Sequence, residues 1–334
     1  ITRLSRSPHR CCVAILLSAP RRDTAGVCVG QIARKLRREV VPTPVGLAEI
    51  AVAFEWDFEA TEITAERISD QLYVLYGAGG NIAVSVGSQG VLVVDDQFPA
   101  LADKIRAAIK DLGGNQVDFA VNTHWHFDHA DGNQFLGPDG AWIVAQANSR
   151  AKMTEDQVIN LVSIAYDQKA YPPAALPVMT FEDQMQFHFN GQVIDLMHFG
   201  AAHTTGDTAV IFRGDNAVHL GDVYNNSGYP FIDAGNGGTI DGIIAFCEAT
   251  LAQINLDTVV VPGHGPLSNY QGLVNYIAML KDIRSQMMAL IDTGASLETI
   301  LNAGITKAYD DVQGDPVLLL NRAYFSLTHK VVDR

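Results

Sequence analysis

Short runs of apolar residues, separated by glycine-rich turns, dominate the sequence from about residue 66 onward. Apolar runs or alternating apolar and polar positions over four to seven residues are typical of strands. They predict a first group of strands at 72–76, 82–86, 91–95, 117–121 and 142–145. A second group is predicted at 178–181, 185–189, 193–199, 208–212, 217–220 and 259–261.

Helical spacing of apolar residues accompanies both groups of strands. It predicts helices at 100–112, 148–170, 241–253, 270–291, 296–303 and 316–330. The helix at 148–170 is expected to end at Tyr171, because two prolines follow it. Two groups of strands, each with its own helices, predict an α/β protein in which two sheets pack face to face with helices outside.

One loop carries four candidate metal ligands within six residues. The loop reads His124-Trp125-His126-Phe127-Asp128-His129 and directly follows the predicted strand at 117–121. A catalytic zinc takes about three protein ligands, because it keeps one position open for water or substrate. Four ligands in one loop therefore indicate two adjacent metal ions.

Three further candidates lie just beyond predicted strands. His203 follows the strand at 193–199, Asp222 follows the strand at 217–220, and His264 follows a run of three valines. Each has a glycine nearby, which lets backbone segments approach closely. The other histidines, including His219, do not fit this pattern, and we expect them to be ordinary core or surface residues.

These motifs, together with Asp95 at the end of the strand 91–95, resemble the metallo-β-lactamase superfamily of metal-dependent hydrolases over roughly residues 70–330. The resemblance implies the four-layer αββα sandwich of that family. It also implies a first zinc site of His124, His126 and His203, and a second of Asp128, His129 and His264, bridged by Asp222. Asp95 resembles the aspartate that orients a ligand histidine, with Asp96 as the next candidate.

The activity implied is that of a dinuclear zinc hydrolase, with iron or manganese as alternative metals. A metal-bridging hydroxide would open a cyclic amide or ester as in a β-lactamase, with Asp128 orienting the nucleophile. Lactonases and thioesterases of the same superfamily are alternatives, because they typically carry an aspartate where Asp222 stands. An iron-dependent sulfur dioxygenase and a binding module with a degenerate site are two further alternatives.

The substrate side of the predicted site lacks positive charge. No Lys or Arg occurs between Arg213 and Lys281. Nucleic-acid cleavage and glutathione thioesters both call for cations near the metals, so both are disfavoured. Aromatic and amide residues follow Asp222 instead, and they predict binding of a small, neutral or weakly charged ring through Tyr224, Asn225, Tyr229 and Phe231. We expect Trp125 and Phe127 to pack in the core beneath the metals.

Charge divides the chain into two parts. Residues 1–40 hold nine Lys or Arg and two acidic residues, whereas the remainder holds 14 basic and 35 acidic residues. We expect a basic N-terminal arm at 1–65 and a hydrolase domain at 66–334. An apolar stretch at 11–19 loosely resembles a signal peptide, and the family resemblance implies a periplasmic or secreted location, but 20–23 is a poor cleavage region.

The amino-acid composition indicates the class of protein. Hydrophobic residues make up 48% of the chain and charged residues 18%, as in globular proteins with a sizeable core. No apolar run reaches the roughly 18 residues that a membrane span requires. Cys247 is expected to face the core from a helix. The oligomeric state is not indicated by the sequence.

Overall fold

The structure, a computed structural model, describes residues 41–329, in which the strands form three sheets. The largest sheet has seven strands and is built mainly from the N-terminal half. In spatial order its strands are Met179–Phe181, Trp142–Gln146, Phe119–Asn122, Gly90–Val94, Ile82–Gly87, Leu72–Tyr76 and Thr64–Arg67. Three neighbouring pairs at the Met179–Phe181 end are parallel and the remaining three are antiparallel.

The second sheet has six strands among the described residues and comes from the C-terminal half. Its spatial order is Gln184–Phe189, Gln192–Met197, Ala209–Phe212, Ala217–His219, Val259–Val261 and Ser268–Asn269. The pair Ala217–His219 and Val259–Val261 is parallel. The predicted strand ends in both sheets agree with the structure to within two residues.

Alternating side chains show that the two sheets pack against each other. In the strand Gly90–Val94, Val91 and Val93 face a core that contains helix residues, whereas Leu92 and Val94 face the other sheet. Leu92 and Val94 share a buried cluster with Val210 and Phe212 of the second sheet. Because successive strand residues point to opposite faces, each sheet is covered on both sides.

Helices cover the outer face of each sheet. The longest within the described residues are Ala102–Asp111, Ile240–Leu251, Tyr270–Asp292 and Val317–Thr328. Shorter helices are Leu47–Ala53, Phe127–Ala130, Asn133–Leu136, Ala147–Met153, Leu297–Leu301 and Asp310–Gln313. Three separate buried clusters, one between the sheets and one under each helical layer, confirm the predicted αββα sandwich.

The helix predicted at 148–170 is wrong beyond its first turns. A helix at Ala147–Met153 is followed by two antiparallel strands, Gln157–Asn160 and Ala165–Gln168. This segment is rich in β-branched and aromatic residues, which favour strands over helices. Between the strands, Val162 adopts a left-handed backbone conformation and its N–H donates to Asn160 Oδ1, which forms the turn.

A third, small sheet joins this hairpin to the segment before residue 66. The strand Pro44–Val45 pairs in parallel with Ala165–Gln168, and Ile50 of the following helix is buried. Residues 44–67 therefore contribute to the body of the protein rather than to an arm. Residues 1–40, which hold most of the predicted arm and the leader-like stretch, lie outside the described residues.

The helices agree with two further predictions. Cys247 is buried in the helix Ile240–Leu251, as predicted. Among residues 41–329, none of the helices combines the length and apolarity that crossing a bilayer requires.

Candidate metal centre

The ends of parallel strands bring the candidate ligands together. Phe119–Asn122 runs parallel to Gly90–Val94, so the loop at 124–129 and Asp95 emerge at the same edge of the first sheet. In the second sheet, the parallel strands Ala217–His219 and Val259–Val261 end just before Asp222 and His264. Parallel strands end at a common edge, where ligand sites commonly form.

Three overlapping groups of side chains can each hold a metal ion. Within a group, one ligand atom from each residue lies within 4.8 Å of the others. The groups are His124, His126 and His203; Asp128, His129 and His264; and His124, His129 and Asp222. The structure thus assembles all seven residues predicted as ligands.

In the first group, hydrogen bonds on the far side of each ring fix which nitrogen faces the centre. His126 Nε2 lies 3.0 Å from Asp233 Oδ2, and His203 Nδ1 donates to the carbonyl oxygen of Phe231 at 2.8 Å. These partners place the protons on the outer nitrogens. The lone pairs of His126 Nδ1 and His203 Nε2 then face each other across 2.9 Å, an arrangement that a cation between them stabilises.

Asp95 anchors two ligands at once. Its Oδ2 accepts from His129 Nδ1 at 2.7 Å and from Thr123 Oγ1 at 2.8 Å, and its Oδ1 accepts from the Thr123 backbone N–H at 2.7 Å. Thr123 Oγ1 in turn lies 3.0 Å from His124 Nδ1. The predicted contact of Asp95 with a histidine of the loop is therefore present, and Asp96 makes no such contact.

Asp222 lies between the two groups. Its Oδ1 is 3.1 Å from His129 Nε2 and 3.3 Å from His264 Nε2, while its Oδ2 is 3.8 Å from His203 Nε2. Asp128 Oδ2 lies 3.2 Å from the same nitrogen of His264. One carboxylate thus presents an oxygen to each group of ligands.

The spacing and chemistry of these atoms fit divalent metal ions. Two ligand atoms about 2.0–2.1 Å from a tetrahedral ion lie about 3.3 Å apart, close to the separations observed here. The buried atoms His124 Nε2 and Asp222 Oδ1 have no aligned hydrogen-bond partner among the described residues. Imidazole and carboxylate ligands suit zinc, and they also suit iron and manganese.

The pKa shifts of the histidines also fit the binding of divalent metal ions. Burial, followed by the neighbouring charge of His129, lowers the pKa of His124 well below its ordinary value, which favours the neutral form that binds metal. Burial also acts to lower the pKa of His129, but Asp222, Asp128 and Asp95 outweigh it and raise that pKa well above normal. The second group therefore lies where positive charge is favoured.

Glycines permit the close approach of the two ligand-bearing turns. A Cβ atom on Gly263 would lie 2.0 Å from Asp222 Oδ1. Gly221 has a φ of 50°, in the left-handed region that glycine adopts most easily, and its carbonyl oxygen accepts from the Gly263 N–H at 2.8 Å. A side chain at residue 263 would displace Asp222 or the turn.

Two aspartates that support the site were not found from the sequence. Asp233 is buried and holds His126, and Asp207 accepts from the backbone N–H groups of Ala202 and Thr204, which flank His203. Both lie in Gly-, Asn- and Thr-rich turns, where aspartates are common for local reasons. No spacing signal separates them from ordinary turn formers.

His219 behaves as a core histidine, as predicted. It is fully buried, its Nε2 donates to the carbonyl oxygen of Asn81 at 2.9 Å, and its Nδ1 accepts from the Gly221 N–H at 3.1 Å. Both ring nitrogens are therefore used, and neither is left to bind a metal.

A cavity of about 270 Å³ opens over the ligands. Three of the four predicted substrate-contact residues, Asn225, Tyr229 and Phe231, line it together with Asp128 and His264. The Tyr229 hydroxyl is already bonded, to Asp310 Oδ1 at 2.9 Å, so this residue offers mainly its ring.

The prediction that Tyr224 contacts substrate is not supported by its position. Its side chain is buried in the core, 4.8 Å from the Tyr276 ring, and its hydroxyl lies 2.8 Å from Ser268 Oγ. The tight turn at Gly221–Val223 directs this side chain towards the helical layer. It does not line the cavity over the ligands.

The aromatic residues between the ligands behave differently from each other. Trp125 is fully buried in the core, as expected. Phe127 packs on Tyr166 at a centroid distance of 4.2 Å but also lines the cavity. Phe127 is therefore both a core residue and part of the site.

We expect Asp95→Asn to weaken metal binding to the second group by about 10- to 100-fold. An amide nitrogen facing His129 would favour the tautomer with its proton on Nε2, which cannot bind metal. Metal content after dialysis against a graded chelator series measures the effect.

Asp96→Asn is the matched control for this prediction. Burial and the charge of Asp95 raise the pKa of Asp96 well above its ordinary value, so a neutral amide resembles the favoured form of this side chain. Metal content should change by less than about twofold. Equal losses in the two variants would contradict the anchoring role of Asp95.

Comparison with known proteins agrees with this geometry. A sequence model of the metallo-β-lactamase superfamily matches residues 76–281, which contain all seven ligand candidates. A probable metallo-hydrolase of Methanocaldococcus jannaschii is 24% identical over 203 residues, covering 58% of this chain and 91% of that protein.

Solved structures show the same fold. A metallo-β-lactamase from Pontibacter korlensis aligns with a TM-score of 0.53 and 17% identity, covering 66% of this chain and all of that one. The DIM-1 metallo-β-lactamase aligns with a TM-score of 0.52 and 15% identity, covering 66% and 97%. With its fold, its His/Asp cluster and this family match, the chain belongs to the metallo-β-lactamase superfamily and is a metal-dependent hydrolase.

Proposed function

We propose that the protein is a dinuclear zinc hydrolase that opens a cyclic amide or ester. The position of Asp222 carries the proposal, because its two oxygens face different groups of ligands, at 3.1 Å from His129 and 3.8 Å from His203. A carboxylate in this position would help to hold two neighbouring metal ions, the arrangement that two-metal hydrolases use.

When bound, the metals supply Lewis acidity, which lowers the pKa of water and polarises a carbonyl oxygen. Asp128 lines the cavity, with Oδ2 3.2 Å from His264 Nε2. We assign this carboxylate to accept a hydrogen bond from the attacking water and to hold its proton. Asp95 and Asp233 keep the ligand rings in the orientation that this requires.

Asn225 supplies the polar contact for the substrate. Its Oδ1 accepts from the N–H and the hydroxyl of Ser227, both at 2.8 Å, while its Nδ2 makes one long contact of 3.5 Å to the Tyr229 carbonyl. The amide oxygen is thereby occupied and the amide nitrogen remains the end able to donate. A backbone bridge to the candidate ligand His264 fixes Asn225 next to the ligand cluster, where it could donate to a carbonyl oxygen of the substrate.

The test is hydrolysis by the zinc-loaded protein of three substrates: a chromogenic cephalosporin, an acyl-homoserine lactone and a simple thioester. Metal content is measured by mass spectrometry on the same sample. We expect two zinc ions per chain and chelator-sensitive turnover of a cyclic substrate. Cephalosporin opening would indicate a β-lactamase, and lactone opening a lactonase.

Other results would contradict the proposal. Turnover of the thioester alone would indicate a thioesterase of the same superfamily. One iron per chain with no hydrolysis would favour the sulfur dioxygenase alternative. Two bound zinc ions with all three substrates inert would exclude these substrate classes.

A further inference from the structure

One side of the cavity is built by segments that contribute no metal ligand. Phe54 and Trp56 come from the chain after the helix Leu47–Ala53, and Ile159 and Leu161 come from the hairpin of the small sheet. These four apolar residues line the same cavity as Asp128 and Asp222. We call them the apolar wall.

Aromatic packing connects the apolar wall to the ligand loop. The rings of Phe54 and Trp56 stack at 5.1 Å with an angle of 21° between their planes. Trp56 also packs against Phe127 at 6.1 Å. Since Phe127 precedes Asp128 in the chain and both line this cavity, the wall borders the same space as the candidate ligands.

The charged groups lining the cavity are all suited to metal binding. Within the part of the chain that the structure describes, the lining includes Asp128, Asp222, His126 and His264 but no Lys or Arg. A substrate carboxylate held against the apolar wall would therefore lack a cationic partner. Burying an unpaired charge costs far more free energy than burying an alkyl group of similar size gains.

We propose that the apolar wall selects substrates with an uncharged, apolar acyl group beside the scissile carbonyl and disfavours acyl groups that bear a carboxylate. This inference rests on the proposed hydrolase function and specifies its substrate class. Each methylene that the wall removes from water should raise kcat/KM by about fourfold.

The test uses four p-nitrophenyl esters and the zinc-loaded protein. Three are neutral acyl esters, namely acetate, butanoate and hexanoate. The fourth is the adipic acid monoester, which has the chain length of the hexanoate and a terminal carboxylate. We expect kcat/KM to rise about 250-fold from acetate to hexanoate, which adds four methylenes, and to fall again for the adipate.

Trp56→Ala should reduce the hexanoate-to-acetate ratio to less than about tenfold. Trp142→Ala is the matched control, because Trp142 is 58% exposed at the start of its strand and does not line the cavity. The control should retain the wild-type ratio. A flat chain-length series in the wild type, or equal effects of the two variants, would overturn the proposal.

Phe54→Lys gives a second variant that does not depend on Trp56. Phe54 is 46% exposed, so a lysine there is accommodated without burying its charge, and it should raise the adipate-to-hexanoate ratio. Val52→Lys is its control, since Val52 is 80% exposed on the adjacent helix and does not line the cavity. An unchanged ratio in Phe54→Lys would contradict the wall's position beside the acyl group.

Ligand binding separates this inference from the proposed function. Calorimetry with 2-octanone, an uncleavable ketone with a six-carbon chain, should show binding that is stronger than that of 2-butanone and weaker in Trp56→Ala. If the four p-nitrophenyl esters, the cephalosporin, the lactone and the thioester were all inert, this binding result would retain the apolar wall while the hydrolase proposal is refuted. Ester hydrolysis without preferential binding of 2-octanone would refute the wall and retain the hydrolase.

Discussion

Replacing Asp128 by alanine is expected to lower kcat/KM by about 10³-fold or more while the protein remains folded. The side chain combines two roles, because its Oδ2 lies 3.2 Å from His264 Nε2 in the second group and also borders the cavity. Its removal deletes a metal ligand and the group assigned to hold the proton of the attacking water. Steady-state hydrolysis of the best substrate, with circular dichroism on the same sample, measures the effect.

Isosteric variants separate the effect of the Asp128 charge from the effect of its side-chain volume. Asp128→Asn keeps the volume but loses the charge, and it should be nearly as inactive as the alanine variant. Asp131→Asn changes a buried carboxyl three residues further along, whose Oδ1 accepts from the Tyr171 hydroxyl at 2.7 Å, a bond that the amide oxygen can keep. Burial raises the pKa of Asp131 to about 7, so a neutral side chain is tolerated there. Near-normal activity of Asp128→Asn would refute the proton-holding role.

Removal of the metal is expected to abolish hydrolysis and to lower Tm by roughly 8–16 °C for each ion lost, and added zinc should restore both. Without a cation, the lone pairs of His126 and His203 face each other at 2.9 Å. The carboxylates of Asp128 and Asp222 then have only the neighbouring ligand histidines as partners. Binding at a thousandfold excess over Kd contributes about 4 kcal/mol per site. Thermal unfolding during a zinc titration of the chelated protein measures the shift.

Magnesium is the control cation for this experiment. It prefers oxygen ligands in octahedral geometry and should restore neither activity nor Tm, because the first group offers three imidazoles. Hydrolysis that persists with less than about a tenth of a metal ion per chain would contradict the assigned role of the centre.

Local sequence patterns predicted the sandwich and the ligand cluster because both depend on short-range signals. The strand Gly90–Val94 alternates between two cores, and the ligands follow strand ends directly. The loop at 124–129 carries four of the seven ligand candidates, so its spacing alone indicated two metals. Parallel pairing of neighbouring strands then brought the distant ligands to the same edge.

Contacts between residues far apart in the chain explain the two features that local sequence patterns did not predict. The strand Pro44–Val45 pairs with Ala165–Gln168, some 120 residues further along the chain, and such a partner leaves no periodic signal in either segment. Without it, the segment at 157–168 was predicted as a helix. Asp233 was missed for a related reason, because only the folded loop brings it within 3.0 Å of His126.

Substrate specificity can change through the small sheet, because this sheet carries none of the ligand candidates. The seven ligand candidates follow strands of the two large sheets, whereas Ile159 and Leu161 belong to a hairpin outside both. Substitutions at Ile159 and Leu161 can reshape the cavity without replacing a group that holds the ligands, whereas Gln168 of the second strand hydrogen-bonds the backbone of the ligand loop and must stay. Libraries that vary only Ile159 and Leu161 should therefore yield variants with new substrate ranges and an unchanged metal stoichiometry.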